Sequence, residues 1–412
     1  MEQKLHTPEG VRDVYNSECK KKLALQEKLL KNLHEYGYQD IQTPTFEYIE
    51  VFRKEIGTTS IRELYKFFDR DGSTLALRPD ITPSVARAAA TLFEHEELPV
   101  RLCYVGNTFI NHTSYQGRLK ESTQLGAELI GDDSIDADAE MIAMVVDGLK
   151  QIGLQEFQVN IGHVDFTQSL LDATKLDENV LGEIRDLIGN RNYFGVEEIL
   201  LRHEVDSDVI HAFTQLPELN GSYEILGKAA SLAPSNKAKI AIVRLLKIYS
   251  LLIQYGVEEH VNFDLSMRGS YGYYSGIIFR AYTYGTGDAI VRGGRYDHLL
   301  GKFGKNTPSI GFGIYVDHMM SAFRRQKIDI DISHTNTIIY TKETRQWAIS
   351  LAKDFRSKGK CIQLLKRKSD EEKESFVDYC KRNECSRMLY LHDDHTITMI
   401  DPITGEESTT EE

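Results

Sequence analysis

Two pairs of residues have types and spacing that could do chemistry. In Leu77-Arg78-Pro79-Asp80-Ile81-Thr82 a carboxylate and a hydroxyl lie two residues apart, able to accept hydrogen bonds from an ammonium group. Taken alone, the same pattern is weak and reads better as a turn followed by a helix capped at Thr82. Gln124 and Glu128 lie four apart, with Gly126 between them. On a strand such positions project to one face, and the missing side chain leaves room above it. An amide beside a carboxylate on one floor suits an amino-acid ligand, although a solvated polar face shows the same spacing. Tyr271-Gly272-Tyr273-Tyr274-Ser275-Gly276 adds aromatic hydroxyls among small residues, and Gly293-Gly294-Arg295-Tyr296-Asp297 reads as a glycine-rich turn bearing charge. Aromatic stripes are often plain core, but buried tyrosine hydroxyls need polar partners.

The elements that would position these residues follow from periodicity. Leu23, Leu29, Leu30 and Leu33 recur at helical spacing between Cys19 and Tyr36, and Gly37 is a natural stop. Tyr38, Ile41 and Pro44 form a short extended piece. Arg101 to Val105 and Leu125 to Ile130 read as two strands of a long antiparallel hairpin around Asn107 to Thr123. Ala137 to Lys150 is helical, Phe157 to Ile161 alternates as a strand, and residues 168–255 are almost wholly helical in pattern. Strand signals return at Val261 to Leu265, Tyr274 to Tyr282, Ala289 to Val291 and Ser309 to Ile314. Strands and helices without regular alternation predict an α+β domain over 1–330, with an antiparallel sheet and a helical insertion at about 168–255. After an aperiodic stretch from Lys327 to Asn336, a fresh strand, helix, strand, helix, strand pattern predicts a small α/β domain over 331–412. The segment Gly405 to Glu412 carries no apolar residue and is expected to be a mobile acidic tail.

At 412 residues, with 41% hydrophobic and 27% charged side chains, the chain has material for a sizeable core. A formal net charge of -13 argues against a main task of neutralising a phosphate backbone. Cys19, Cys103, Cys361, Cys380 and Cys385 are scattered, and none forms the paired short spacing of a zinc site. They read as reduced thiols in a cytoplasmic protein, and neither a metal nor a cofactor is expected. The N-terminal segment shows no apolar signal region, and no run approaches the roughly 20 apolar residues of a membrane span, so no membrane partner is expected.

Tyr104 to Gly131 reads YVGNTFINHTSYQGRLKESTQLGAELIG, which resembles the stretch of histidyl-tRNA synthetases that grips ATP. Thr7 to Gly10 with Arg12-Asp13, Leu77 to Thr82, Gln124 to Glu128, Tyr273 to Gly276 and Gly293 to Asp297 are similar to that family's motifs. They occur in its order across roughly residues 1–325. The resemblance implies a class II aminoacyl-tRNA synthetase-like fold and self-association as a dimer through the region of Pro44. It also implies a histidine pocket: Asp80, Thr82 and Gln124 would hold the α-amino group, with Asp where many relatives carry Glu. Glu128, Tyr273 and Tyr274 would bind the imidazole.

The ATP half departs from the pattern. Ile110 stands where the synthetases place a phosphate-gripping arginine, His318 where they carry an arginine for the terminal phosphates, and Gly269 where a catalytic arginine precedes the tyrosine pair. Arg268 is adjacent to that last slot, so a local shift could restore it. Arg118 matches a phosphate-contacting position and is either a residual anion site or a surface loop arginine. Losing one preorganised donor in such a site costs about 10² to 10³ in rate, so losing two or three would remove adenylation. The C-terminal segment is short for an anticodon-binding domain, and no tRNA partner is expected. Within this superfamily a histidine pocket without the ATP arginines resembles the regulatory subunits of ATP phosphoribosyltransferase. Those are non-catalytic partners of a short-form catalytic subunit at the start of histidine biosynthesis, sensing L-histidine. The alternatives are an active histidyl-tRNA synthetase with unusual motifs and a stand-alone histidine-binding sensor.

Overall fold

The computed structural model describes residues 6–53, 59–96, 99–112, 118–267, 273–368 and 371–411. The chain divides into two compact units, Met1–Asp13 with Leu25–Asp329, and Val14–Ala24 with Ile330–Glu412.

The first unit contains β1 (Gln39–Asp40), β2 (Phe46–Tyr48), β3 (Lys66–Phe68), β4 (Thr74–Leu77), β5 (Val100–Phe109), β6 (Glu121–Ile130), β7 (Phe157–His163), β8 (Asn220–Gly221), β9 (Val261–Asp264), β10 (Ile277–Thr283), β11 (Val291–Arg295) and β12 (Ser309–Tyr315). Nine of these form one sheet in the order β1-β5-β6-β12-β11-β10-β7-β9-β8, while β2, β4 and β3 form a small antiparallel sheet. The centre of the large sheet is antiparallel, and its parallel pairs are β1 with β5 and β7 with β9. Residues 123–130 of β6 are buried on both faces, because helices and loops cover the sheet on either side.

The main supporting helix, Ile135–Gln151, starts where the Ser134 side chain accepts from the Ala137 N–H at 3.1 Å, and Asp136 and Asp138 complement the positive end of its dipole. Asn236–Tyr255 is capped by Ser235 and ends at Gly256 with φ 69°, the left-handed conformation that glycine adopts without a Cβ penalty. It packs against Ile135–Gln151. Between residues 164 and 255 the chain is helical except for β8 and short turns.

A buried ion network ties these helices to the sheet. Asp138 is fully buried, with one carboxylate oxygen 2.6 Å from Arg295 Nη2 and the other 2.6 Å from Arg244 Nε. Arg295 also donates to the Asp132 carbonyl at 2.9 Å, and Arg244 to the Asp133 carbonyl at 2.9 Å. Asp297 Oδ1, 3.3 Å from Arg295 Nη1, supplies a second negative charge, so both guanidinium groups are paired and hydrogen-bonded, which burial of charge demands.

The second unit carries β13 (Asn336–Tyr340), β14 (Ile362–Lys366), β15 (Met388–Leu391), β16 (Thr396–Ile400) and β17 (Glu407–Glu411), ordered β14-β13-β15-β16-β17. Helices Arg345–Ser357 and Lys373–Arg382 supply its apolar partners. Trp347 packs against the cluster of Ile338, Ala348, Ala352, Leu389 and Leu391.

Two sequence expectations fail here for identifiable reasons. Gly293-Gly294-Arg295 is strand, not turn. A Cβ on Gly293 would strike the Phe279 ring and one on Gly294 would lie 2.7 Å from the Tyr274 ring, so these glycines serve close approach within a sheet. The acidic tail is also ordered, since β17 pairs antiparallel with β16 from Ile400↔Glu407 to Thr396↔Glu411. The reversal between them is set by Asp401, whose carboxylate accepts from the N–H groups of Ile403 and Thr404, and by Gly405 at φ 76°. Backbone pairing thus orders a segment that offers no apolar surface.

Candidate functional site

Strand register assembles the site. Glu128 on β6 lies opposite Leu102 on one side and Gly311 on the other, and Gln124 lies opposite Gly106 and Tyr315. Gln124 and Glu128 therefore share a face, as their spacing predicts, with Gly126 between them. A Cβ at Gly126 would lie 2.6 Å from the Tyr104 hydroxyl, so the glycine is what lets that phenol reach across the floor.

Glu128 is fully buried and saturated on three sides. Its Oε1 accepts from Thr82 Oγ1 at 2.8 Å and from Tyr104 OH at 3.1 Å, and its Oε2 accepts from Tyr296 OH at 2.6 Å. Burial pushes its carboxyl up to about 8, against the opposing effect of those hydroxyl donors. Asp80 is raised for the same reason, with Gln124 Nε2 donating to Oδ1 at 2.9 Å and Tyr273 OH to Oδ2 at 3.5 Å. Gln124 Oε1 in turn accepts from the Ile81 N–H at 3.2 Å. The loop bearing Asp80 is pinned from behind by Arg78, which donates to the carbonyls of Asn107, Thr43 and Pro44.

Thr82 is not a helix cap. The helix Thr82–Leu92 has Ile81 at its N-cap without a side-chain bond, and the Thr82 hydroxyl turns inward to Glu128 instead. A carboxyl oxygen buried away from water needs that donor, whereas the helix end has other ways to satisfy its N–H groups.

The structure brings Asp80, Thr82, Gln124, Glu128, Tyr273 and Tyr274 to the wall of one pocket, together with Tyr296, Arg292 and Gly311. The Tyr273 and Tyr296 rings meet edge-on, with centroids 5.7 Å apart. Sequence reasoning assigned no role to Tyr104 or Tyr296, although both lie inside quoted motifs. The internal cavity is small, about 10 Å³, the space of a single water. Its polar groups satisfy one another, so a ligand must exchange those bonds for its own.

Beyond the pocket opens a cleft of about 1020 Å³, which Asp80, Gln124, Arg292 and Tyr315 share with it. Ile110, Arg118 and His318 all line this cleft, Arg118 being exposed, while Gly269 and Arg268 lie outside the described residues. His318 Nδ1 lies 3.2 Å from the Ala289 carbonyl, which directs the ring along the wall. Arg12, Lys120, Arg324 and Arg325 also line the cleft, offset by Glu63, Asp288 and Asp317.

Two expected outcomes test this geometry. Because the Glu128 carboxyl titrates near 8 when folded and at about 4.5 in the unfolded chain, its contribution is fully present below pH 4.5. It is lost as pH rises toward 8, where a charge must be buried. Glu128→Gln keeps the shape and removes the titration, so its stability relative to the parent chain should rise between pH 5 and pH 8. Urea unfolding at both pH values measures this, and a pH-independent difference would refute the assignment. In Gly311→Ala the new Cβ would collide with the Glu128 carboxylate and sit 2.8 Å from the Ala127 carbonyl. Overpacking of this kind costs about 1–3 kcal/mol. The expected result is a lowered Tm and a closed pocket, read by calorimetry.

The family model described as histidyl-tRNA synthetase matches residues 10–319. An ATP phosphoribosyltransferase regulatory subunit from Acetivibrio thermocellus is 35% identical over 408 residues, 99% of this chain and 97% of the relative. A crystal structure of an ATP phosphoribosyltransferase regulatory subunit/histidyl-tRNA synthetase from Bacillus halodurans superposes with a TM-score of 0.84 at 30% identity, covering 95% of this chain and 99% of that one. A histidyl-tRNA synthetase from a Nostoc species superposes with a TM-score of 0.83 at 18% identity, covering 100% and 97%, a likeness of fold alone. Among the described residues no helix is long and apolar enough to cross a membrane.

Proposed function

The chain belongs to the ATP phosphoribosyltransferase regulatory subunits, on the class II histidyl-tRNA synthetase fold, and from that premise we propose that it binds L-histidine and relays it to a short-form catalytic subunit. As a regulatory subunit it acts in histidine biosynthesis without catalysing the reaction itself.

One observation carries the reading: two buried carboxylates, Asp80 and Glu128, converge with six hydroxyl or amide groups in a single pocket that adjoins an open cleft. Asp80, Thr82 and Gln124 hold the ligand's ammonium group, which replaces the internal bond from Gln124 to Asp80. Glu128, Tyr273 and Tyr274 face the imidazole, and Glu128 keeps one acceptor site beyond its three hydroxyl donors. Loss of adenylation rests on Ile110 and His318, which cannot offer bidentate charge to a reacting phosphate. The chain requires no cofactor, and Arg118 leaves some anion affinity in the cleft.

Self-association as a dimer is supported by the sheet β2-β4-β3 next to Pro44. One face carries the exposed Phe46, Tyr48 and Phe67, with Phe68 exposed on the other, and the rings of Phe46 and Phe67 pack edge-on at 5.6 Å. Histidine feedback is then a difference in histidine affinity between active and inactive assemblies, and linkage requires the assembly to alter histidine affinity by the same factor.

The test is phosphoribosyl-ATP formation by a short-form catalytic subunit from the same source, with and without this chain, then with added histidine. Activation that histidine reverses supports the reading. Histidine binding without activation would favour a stand-alone sensor. The cations that remain in the cleft favour one further check, histidine-dependent exchange of pyrophosphate into ATP, whose appearance would mark an active synthetase.

A further inference from the structure

His34, Asp40 and Cys103 converge on the far side of the sheet element that holds the pocket strands, and neither the regulatory reading nor the histidine pocket uses them. His34 sits in the last turn of the helix Asn16–Glu35, Asp40 on β1 and Cys103 on β5. His34 Nε2 lies 3.1 Å from Asp40 Oδ2, and Cys103 Sγ lies 3.6 Å from Asp40 Oδ1. One ligand atom from each of the three lies within 4.8 Å of the others.

We propose that these three side chains bind one divalent transition-metal ion of the zinc class. Imidazole nitrogen, carboxylate oxygen and thiolate sulfur form a mixed donor set that suits a borderline-soft cation, and no calcium or magnesium site would use the sulfur. Ligands bonded to zinc at about 2.0–2.3 Å stand roughly 3.3–3.8 Å apart in a tetrahedron. The two short spacings end on different oxygens of Asp40, and one donor from each residue lies within 4.8 Å of the others, so closing on an ion takes a movement of about 1 Å. Three protein ligands leave the fourth position open to water, and the His34 and Asp40 side chains, 45% and 63% exposed, open the site to solvent.

The backbone already fixes the arrangement. Asp40 lies in register with Cys103 in the parallel pairing of β1 and β5, and the Ile41 N–H donates to the Cys103 carbonyl at 2.8 Å. The Gly37 N–H closes the helix end on the His34 carbonyl at 2.9 Å. Metal binding would release the Cys103 thiol proton to solvent and clip the helix end, β1 and β5 together. Sequence spacing hides the site because its ligands come from three elements rather than a paired-cysteine motif. The competing account is a surface histidine–aspartate ion pair above an inert thiol.

The experiment adds Co²⁺ alone to the full chain, kept reduced, and follows thiolate-to-cobalt charge-transfer absorption with stoichiometry by dialysis. One Co²⁺ per chain, absorption lost in Cys103→Ser, and affinity lowered at least about tenfold in His34→Ala and Asp40→Asn, is the expected result. His34 and Asp40 are exposed, so their variants keep the fold even if the buried cysteine variant does not. Absence of the band would overturn the proposal. So would a band that His34→Ala leaves unchanged, which would belong to another thiol such as the exposed Cys361.

Discussion

Asp138→Ala is expected to lower the unfolding free energy by about 3–5 kcal/mol, the cost of breaking a buried ion network by removing one partner. The carboxylate is the shared counter-charge of Arg295, itself 3% exposed, and of Arg244. Alanine would leave the buried Arg295 with only Asp297 as counter-charge and the partly buried Arg244 with none from Asp138. Arg295 also holds the pocket: its carbonyl accepts the Ser275 N–H at 2.8 Å, and Ser275 Oγ donates to Asp297 at 2.8 Å. Urea unfolding and ligand titration should therefore move together. A loss under 1 kcal/mol would show that the network contributes little beyond its own desolvation cost.

Glu128→Ala should weaken histidine binding by about 10- to 100-fold, the range of a charge-assisted hydrogen bond lost from a buried site. Association with the catalytic subunit should survive, so the variant is expected to activate phosphoribosyl-ATP formation while resisting histidine. The substitution also strands the hydroxyls of Thr82, Tyr104 and Tyr296, so a parallel Glu128→Gln variant separates lost charge from lost packing. Histidine inhibition unchanged in both variants would sink the pocket assignment.

The period-2 rule made Gln124 and Glu128 legible as one face, and the helices on either side of the sheet were visible in their apolar spacing. What stayed hidden depends on register between distant segments. Tyr104 stands beside Glu128 through the β5–β6 hairpin, but Tyr296, just past β11, reaches Glu128 only because β12 inserts between β11 and β6, a fact that no local pattern encodes. Thr82 obeys a tertiary partner over its local capping tendency. The glycines at 293 and 294 read as turn formers because sequence alone does not reveal that Phe279 and Tyr274 need the space. The tail strand escaped notice for a related reason: pairing with β16 orders a backbone whose side chains give no apolar signal.

Trp347 is the chain's one tryptophan, and it belongs to the core of the second unit. Its emission therefore reports its own surroundings in that core rather than the pocket formed by Asp80 and Glu128, whose chromophores are tyrosines. A conventional fluorescence melt could show a flat response to histidine even with a filled pocket. Tyrosine absorbance or near-ultraviolet dichroism around Tyr104, Tyr273 and Tyr296 is the optical signal that would register occupancy.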